Sequence, residues 1–305
     1  ISPAIQPNYI EIINNNSIRR MSKITKMGMA TGILALKEAN ISEPDAIITG
    51  TGMGCLEDSE KFLKSIILNN EEFLSPTAFI QSTHNTVGAQ IALNLKCKNY
   101  NMTYTHGSIS FELAIIDSQL LISENQAKNV LVGGIDELGN RMLNDTIKLD
   151  NNKNTNLNVP YSEGSHFFVI SDIKTKNSIA IIKEVEINNK IYENEVLKKV
   201  DEFLKKTETG KIDAIILGKN GDVSDNYYEI LSNDMFSKTP QIQYKNISGE
   251  FSTSSSFGLW FALEILKQQT IPKEACLNKV KYDQINTILL VNQFRGKQFS
   301  FIVIE

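Results

Sequence analysis

Arginine, histidine, cysteine and tryptophan are all scarce in this chain of 305 residues, and each scarcity narrows what the protein can do. Its arginines, Arg19, Arg20, Arg141 and Arg295, form no basic stripe, and the formal net charge is −4, so nucleic-acid binding is not expected. Cys55, Cys97 and Cys276 are an odd, widely spaced set, which argues against a disulfide framework and for a reducing cytoplasm. These cysteines and the histidines His84, His106 and His166 show no close ligand spacing, so no metal and no other cofactor is expected. Long hydrophobic runs are missing as well. The longest, FGLWFALEIL at 257–266, is too short for a bilayer, and the opening ISPAIQPNYIEI lacks the basic start and continuous apolar core of a secretory signal.

What remains is a globular composition, 41% hydrophobic and 22% charged, with length for one large or two medium domains. Strands alternate with helices, the mark of α/β layers. In the first half AIITGTG (46–52), NMTYTH (101–106), NVLVGGI (129–135) and HFFVI (166–170) read as strands, with helices over Met21–Ala39, Glu57–Leu68, Val87–Leu95 and Ser110–Ser123. In the first helix Ile24, Met27, Leu34 and Ala35 recur near helical spacing and are expected to face the core. The helix from Ser110 is apolar on nearly all sides, as a buried central helix is. Asn151–Asn158 is a polar run that reads as a loop. Beyond it SIAIIKEVEI (178–187), DAIILG (213–218), QIQYKN (241–246), TILLVNQF (287–294) and QFSFIVIE (298–305) read as strands. Helices fall near Asn194–Thr207, Asn226–Asn233 and Ser254–Gln268, with STSSS at 252–256 as the loop and N-cap before the last.

Several motifs stand in a fixed order along this frame. Ser75-Pro76-Thr77 and Phe79, then Asn85-Thr86, Gly88 and Ile91-Ala92, precede NMTYTHGSISFELAI; VLVGGIDE follows at 130–137. Glu163-Gly164-Ser165 then leads into HFFVI, KNISGE occupies 245–250, and LLVNQF occupies 289–294. Together they resemble the β-ketoacyl synthase (thiolase-like) superfamily over most of the chain. The resemblance implies a duplicated α/β fold, layered αβαβα with two mixed five-stranded sheets around buried helices. Its halves would be 1–172 and 173–305, meeting near 171–178 in one compact unit. Members begin with a strand ahead of the equivalent of Ile1-Ser2-Pro3, so the chain is expected to start after that strand or to do without it.

The resemblance also carries the family's Cys-His-His set across, one position at a time. Ala114-Ile115 fit the small-apolar pair after the nucleophile and put the cysteine position at Ser108. Gly218-Lys219-Asn220-Gly221-Asp222, with Glu229 downstream, stand where the first histidine opens HGTGT; that histidine becomes Gly218, with a slip of one residue left open. KNISGE stands in place of KSxxGH, so the second histidine becomes Glu250. Lys245, Gly249 and Phe294 are implied as structural neighbours of the former site, and the family's GFGG loop is shortened to Phe294-Arg295-Gly296-Lys297.

These replacements remove what condensation needs. In the family a thiolate at a helix N-terminus attacks, and two imidazoles stabilise the negative charge of decarboxylation. Glycine offers no donor, an ionised glutamate would repel the malonyl carboxylate and the enolate, and serine needs a neighbouring base before it attacks a thioester. His106 stands two residues from Ser108 and in an extended strand would point the same way. That leaves open a stand-alone acyltransferase or thioesterase-like enzyme using Ser108 with His106 or Glu250, although ordinary packing gives the same spacing. His166 alternates with apolar residues and reads as packing.

Catalytically disabled members of the superfamily are chain-length factors, which pair with an active ketosynthase and shape the acyl tunnel at the heterodimer interface. The sequence is most similar to that class, particularly to short members associated with bacterial polyene pigments. The resemblance therefore implies a non-catalytic subunit in fatty-acid or polyketide (aryl polyene-type) biosynthesis. Its partner would be an active β-ketoacyl synthase subunit or a second copy, with acyl carrier protein engaged indirectly. Family dimers join through the strand before the nucleophile turn, here Asn101–His106, which would place Met102, Tyr104 and His106 in the contact. Phe79, Ile80 and His84 would limit the growing chain. An inert homodimeric scaffold is a further alternative.

Overall fold

The computed structural model describes residues 1–13, 18–19, 21–139, 144–145, 147–148 and 157–305. Positions 151–156 of the expected polar loop lie outside the described residues. Two compact units form: one from Ile1–Asn154, Tyr161–Asn177 and Phe251–Ser256, the other from Thr155–Pro160, Ser178–Glu250 and Phe257–Glu305.

The first unit is built on strands β1 (Ala46–Gly50), β2 (Tyr100–Tyr104), β3 (Asn129–Asp136) and β4 (Gly164–Ser171), ordered β2-β1-β3-β4. The first three run parallel, and β4 is antiparallel to β3. Its helices are α1 (Tyr9–Ile12), α2 (Lys23–Ala39), α3 (Leu56–Leu68), α4 (Pro76–Gln81), α5 (Thr86–Leu95) and α6 (Ser110–Ser123). Because strand side chains alternate, Ile47, Leu131 and Ile135 pack with Ile24, Met27, Val87 and Ile91 of α2 and α5. The opposite face meets α6, so closely at Gly50 that an added Cβ would lie 2.5 Å from the Ser110 carbonyl oxygen.

Leu34, expected in the core, is 43% exposed. The buried face of α2 runs instead through Gly28 and Gly32, where a Cβ on Gly28 would sit 2.9 Å from Ile135 Cδ1. Apolar periodicity gives glycine no weight as a packing surface, yet here its missing side chain lets the helix approach the sheet and sets its rotation.

The second unit holds β5 (Ile182–Asn188), β6 (Ala214–Leu217), β7 (Gln241–Gln243), β8 (Ile288–Phe294) and β9 (Gln298–Ile304), ordered β5-β9-β8-β6-β7. Its helices are α7 (Val196–Lys206), α8 (Asn226–Ile230), which continues as a π-helical turn over Leu231–Met235, α9 (Lys245–Ser248) and α10 (Ser255–Gln268). Val200 and Phe203 of α7 and Tyr228 of α8 pack on Leu217, Leu289, Val291 and Phe301. On the other face Gly258 of α10 brings the helix against Leu290. Strands β7-β6-β8-β9 repeat the order and the senses of β2-β1-β3-β4, which is the duplication that sequence self-similarity does not reveal.

The first sheet has four strands among the described residues, not the five expected. Where β5 pairs with β9, the corresponding margin beside β4 carries, among the described residues, only the bridge Ser2–Ser162. Pro3 and Pro7 follow Ser2, and proline has no N–H to give to a ladder. The strand expected over 241–246 is also shorter, because Lys245 opens α9 and Gly249 N–H closes that turn on the Lys245 carbonyl at 2.8 Å. Between β8 and β9 the shortened loop is a tight hairpin turn with Arg295 and Gly296 at φ 52° and 64°, the left-handed geometry that primed turns use. No described helix is long and apolar enough to cross a membrane.

Candidate functional site

Ser108 lies in the first unit at the head of α6, buried in a 3₁₀ turn over Gly107–Ile109. The turn is closed by Ser110, whose hydroxyl donates to the Gly107 carbonyl at 2.8 Å and accepts from His106 N–H at 2.8 Å. This is the strand, turn and buried helix that the motif implies. The alternation that would align His106 with Ser108 does not apply: β2 ends at Tyr104, and Gly107 is left-handed at φ 61°. The His106 ring is exposed and stands 6.3 Å from the Tyr104 ring.

Phe79 and Ile80 project from α4 and are 55% and 59% exposed, with Phe79 also 5.5 Å from Phe62 of α3. Ser75 caps that helix, accepting from Ala78 N–H at 3.3 Å, and Pro76 fills its first turn. His84 is exposed and backs onto Gly54, where a Cβ would come within 2.9 Å of the His84 Cα. Met102 and Tyr104 sit on β2, an edge strand of its sheet. Burial, and then the Asp117 carboxylate that its hydroxyl bonds, push the Tyr104 phenol up to about 12.

Acidic groups gather around the start of α3. Glu137, buried after β3, accepts from Glu57 N–H at 3.0 Å, and burial pushes its carboxyl up to about 7. The adjacent Cys55 thiol is driven up to about 12 by burial, Glu137 and Asp58, so it is no thiolate nucleophile. Glu163 of the EGS motif pairs with Lys23 at 2.8 Å and accepts from Leu138 N–H at 2.8 Å. Asp136 accepts from Gly52 N–H at 2.7 Å and from the Thr253 N–H and hydroxyl at 2.8 Å each, so it ties the Phe251–Ser256 segment to β3. His166 is likewise structural: burial pulls it down to about 4, so it is neutral, with Nδ1 3.0 Å from Ser256 Oγ.

In the second unit the structure brings Lys245 and Glu250 together. Lys245 Nζ lies 3.0 Å from Glu250 Oε2 and 3.3 Å from Oε1, and Asn220 Nδ2 donates to Oε2 at 3.0 Å. All three side chains are buried. Gly249, at φ 73°, makes the sharp exit from α9 that aims Glu250 back at Lys245. The Lys245 ammonium compensates the charge of Glu250, and both carboxylate oxygens are engaged. A carboxylate held in this way offers neither an imidazole N–H nor a free base.

Gly218 ends the strand run of β6, and its surroundings were not legible in the sequence. A Cβ there would lie 2.5 Å from Asn292 Oδ1 and 3.0 Å from each of the Tyr228 and Tyr244 hydroxyls. Tyr244 donates to Asn292 Oδ1 at 3.1 Å, and Tyr228 accepts from Gln293 N–H at 2.8 Å. Two fully buried tyrosines and an asparagine therefore fill the space that a side chain at Gly218 would need. The one sequence signal was the Gly in GKNGD. Phe294, at the end of β8, carries Arg295 over its ring at 5.1 Å.

Residues 5–155 match the family model of the β-ketoacyl synthase, N-terminal domain. No curated protein matches the sequence. Among solved structures, the ishigamide ketosynthase/chain length factor is similar with a TM-score of 0.78 and 16% identity, over 99% of this chain and 86% of its own. A β-ketoacyl synthase from Burkholderia phymatum STM815 gives 0.78 and 12%, over 99% of this chain and 87% of its own. AntDE:AntF, a type II PKS acyl-carrier protein in complex with its ketosynthase bound to the hexaketide, gives 0.78 and 15%, over 99% and 89%. These likenesses establish the thiolase-like fold, and the family match identifies residues 5–155 as a β-ketoacyl synthase N-terminal domain.

Proposed function

We propose that this chain is a catalytically disabled β-ketoacyl synthase-like subunit. It acts as a chain-length factor that pairs with an active ketosynthase in fatty-acid or polyketide biosynthesis of the aryl polyene type. The observation that carries this reading is the Lys245–Glu250–Asn220 cluster. Decarboxylation of a malonyl thioester needs donors aimed at the developing enolate. Here the position aligned with one imidazole is an ion-paired carboxylate, and the position aligned with the other is a glycine walled in by Tyr228, Tyr244 and Asn292. Ser108 stands where the thiol would be, inside a turn braced by Ser110.

In this reading the halves 1–172 and 173–305 serve as a scaffold in the cytoplasm. The edge strand β2 meets the ketosynthase through Met102, Tyr104 and His106, and Phe79, Ile80 and His84 limit the acyl chain, while carrier protein docks mainly on the partner. One similar structure is a ketosynthase/chain length factor and another a carrier protein with its ketosynthase, which supports the reading by analogy of fold. Co-expression with ketosynthases that carry an intact Cys-His-His set tests it: a stable one-to-one complex is expected, with condensation only when the partner is present. Decarboxylation of malonyl carrier protein by this chain alone would end the proposal.

A further inference from the structure

Strand β2 presents five residues along the open edge of its sheet, and the Asp117 carboxylate lies against its side chains. Tyr100, Met102 and Tyr104 alternate onto the face that α6 covers. Asp117 of α6 accepts a hydrogen bond from the Tyr100 hydroxyl at 3.1 Å, and its charge also acts on the Tyr104 phenol. The carboxylate therefore lies on the α6 side of β2, near the phenols that flank Met102. Met102 itself is 39% exposed, which leaves the edge open to a further strand.

Antiparallel pairing of β2 with a second copy of itself uses all five residues only when Met102 faces Met102 of that copy, which sets Tyr100 against Tyr104. The two-fold axis then runs beside Met102, perpendicular to the sheet, and leaves both Asp117 carboxylates on one face. With strands about 4.8 Å apart, the two charges stand within roughly 10 Å of each other, beside phenols that thin the intervening water. Lys98 does not offset them, since in this register it faces His106 of the second copy rather than the centre.

We propose that Asp117 selects the partner: it opposes self-pairing of β2 and favours a strand whose flanking helix places lysine or arginine opposite it. This rests on the reading that β2 meets an active ketosynthase, and it adds the chemistry by which that subunit is preferred to a second copy.

The full chain and its Asp117→Asn and Asp117→Lys variants, examined by native mass spectrometry and sedimentation, provide the test. Asp117→Asn is expected to self-associate about tenfold more tightly than the unaltered chain at low salt, with the gap closing at high salt. Unaltered chain mixed with Asp117→Lys should give more mixed dimer than chance pairing. Equal self-association of the unaltered chain and Asp117→Asn, a chance distribution in the mixture, or no dimer of Asp117→Asn at all would each overturn the proposal. Charge-selected mixed dimers with no ketosynthase ever co-purifying would keep the role of Asp117 and remove the proposed function. Co-purification that Asp117→Lys leaves undiminished would do the reverse.

Discussion

Lys245 and Glu250 form a buried ion pair at 3.0 Å, five residues apart and held face to face by the turn at Gly249. Breaking one side of such a pair strands a charge and costs about 3–5 kcal/mol, whereas replacing both partners by apolar groups of similar volume is often neutral. Glu250→His, the exchange that the proposed alignment suggests, is therefore expected to destabilise the chain by about that amount. Lys245→Met combined with Glu250→Leu should recover most of the loss. Urea unfolding of the three variants measures both, and a stable Glu250→His chain would show that Lys245 has another partner.

Gly218 gives a second prediction. Its missing Cβ leaves room for Asn292 Oδ1 and two tyrosine hydroxyls, so Gly218→Ala overpacks the site and should cost about 1–3 kcal/mol. Gly218→His should fold poorly and yield no condensing activity, even together with Ser108→Cys. Soluble yield, denaturation midpoint and malonyl decarboxylation are the measurements.

Acid should act through His166. A histidine whose pKa falls from 6.5 to about 4 on folding contributes stability that is present above pH 6.5 and is lost as the pH drops toward 4. At ~1.4 kcal/mol per unit this amounts to about 3 kcal/mol. His166→Gln, which cannot charge, should lose that contribution, so the difference in unfolding free energy between the unaltered chain and this variant should rise with pH from 4 to 6.5.

Glu137 works in the opposite direction. Its carboxyl rises from 4.5 to about 7 on folding, chiefly through burial, so protonation favours the folded chain. That contribution is whole below pH 4.5 and is lost as the pH rises through 7, an effect of about 2–3 kcal/mol at most. Glu137→Gln should therefore gain on the unaltered chain above pH 7. Because the His166 and Glu137 slopes oppose each other between pH 4.5 and 6.5, the unaltered chain should look nearly flat there and each single variant tilted.

Much of the frame was legible in the sequence. The helix over Ser110–Ser123 and the strands around 46–50, 129–136 and 288–294 follow from local apolar patterns, which are short-range and survive any tertiary arrangement. The turn at Ser108 was legible because motif order fixes residue identity along the chain. Leu34 was not, since the rotation of α2 depends on Gly28 fitting under Val87 and Ile135 and on Gly32 fitting under Ile91 and Leu131. Nor were Asn220, which reaches Glu250 30 residues on, and Tyr228, Tyr244 and Asn292, which converge at Gly218 from segments as distant as Asn292.

The amino-acid sequence by itself determined the motif order and the resemblance, which implies that Ser108, Gly218 and Glu250 stand in the places of the family's cysteine and two histidines, because that is a question of identity at a place in a motif. Only the tertiary structure decided what surrounds these places: a neutralised carboxylate at Glu250, a filled space at Gly218 and a braced turn at Ser108, and, apart from them, an open edge at β2 with Asp117 beside it. Charge and volume at a point are sums over side chains brought there by packing, and no single stretch of chain contains them.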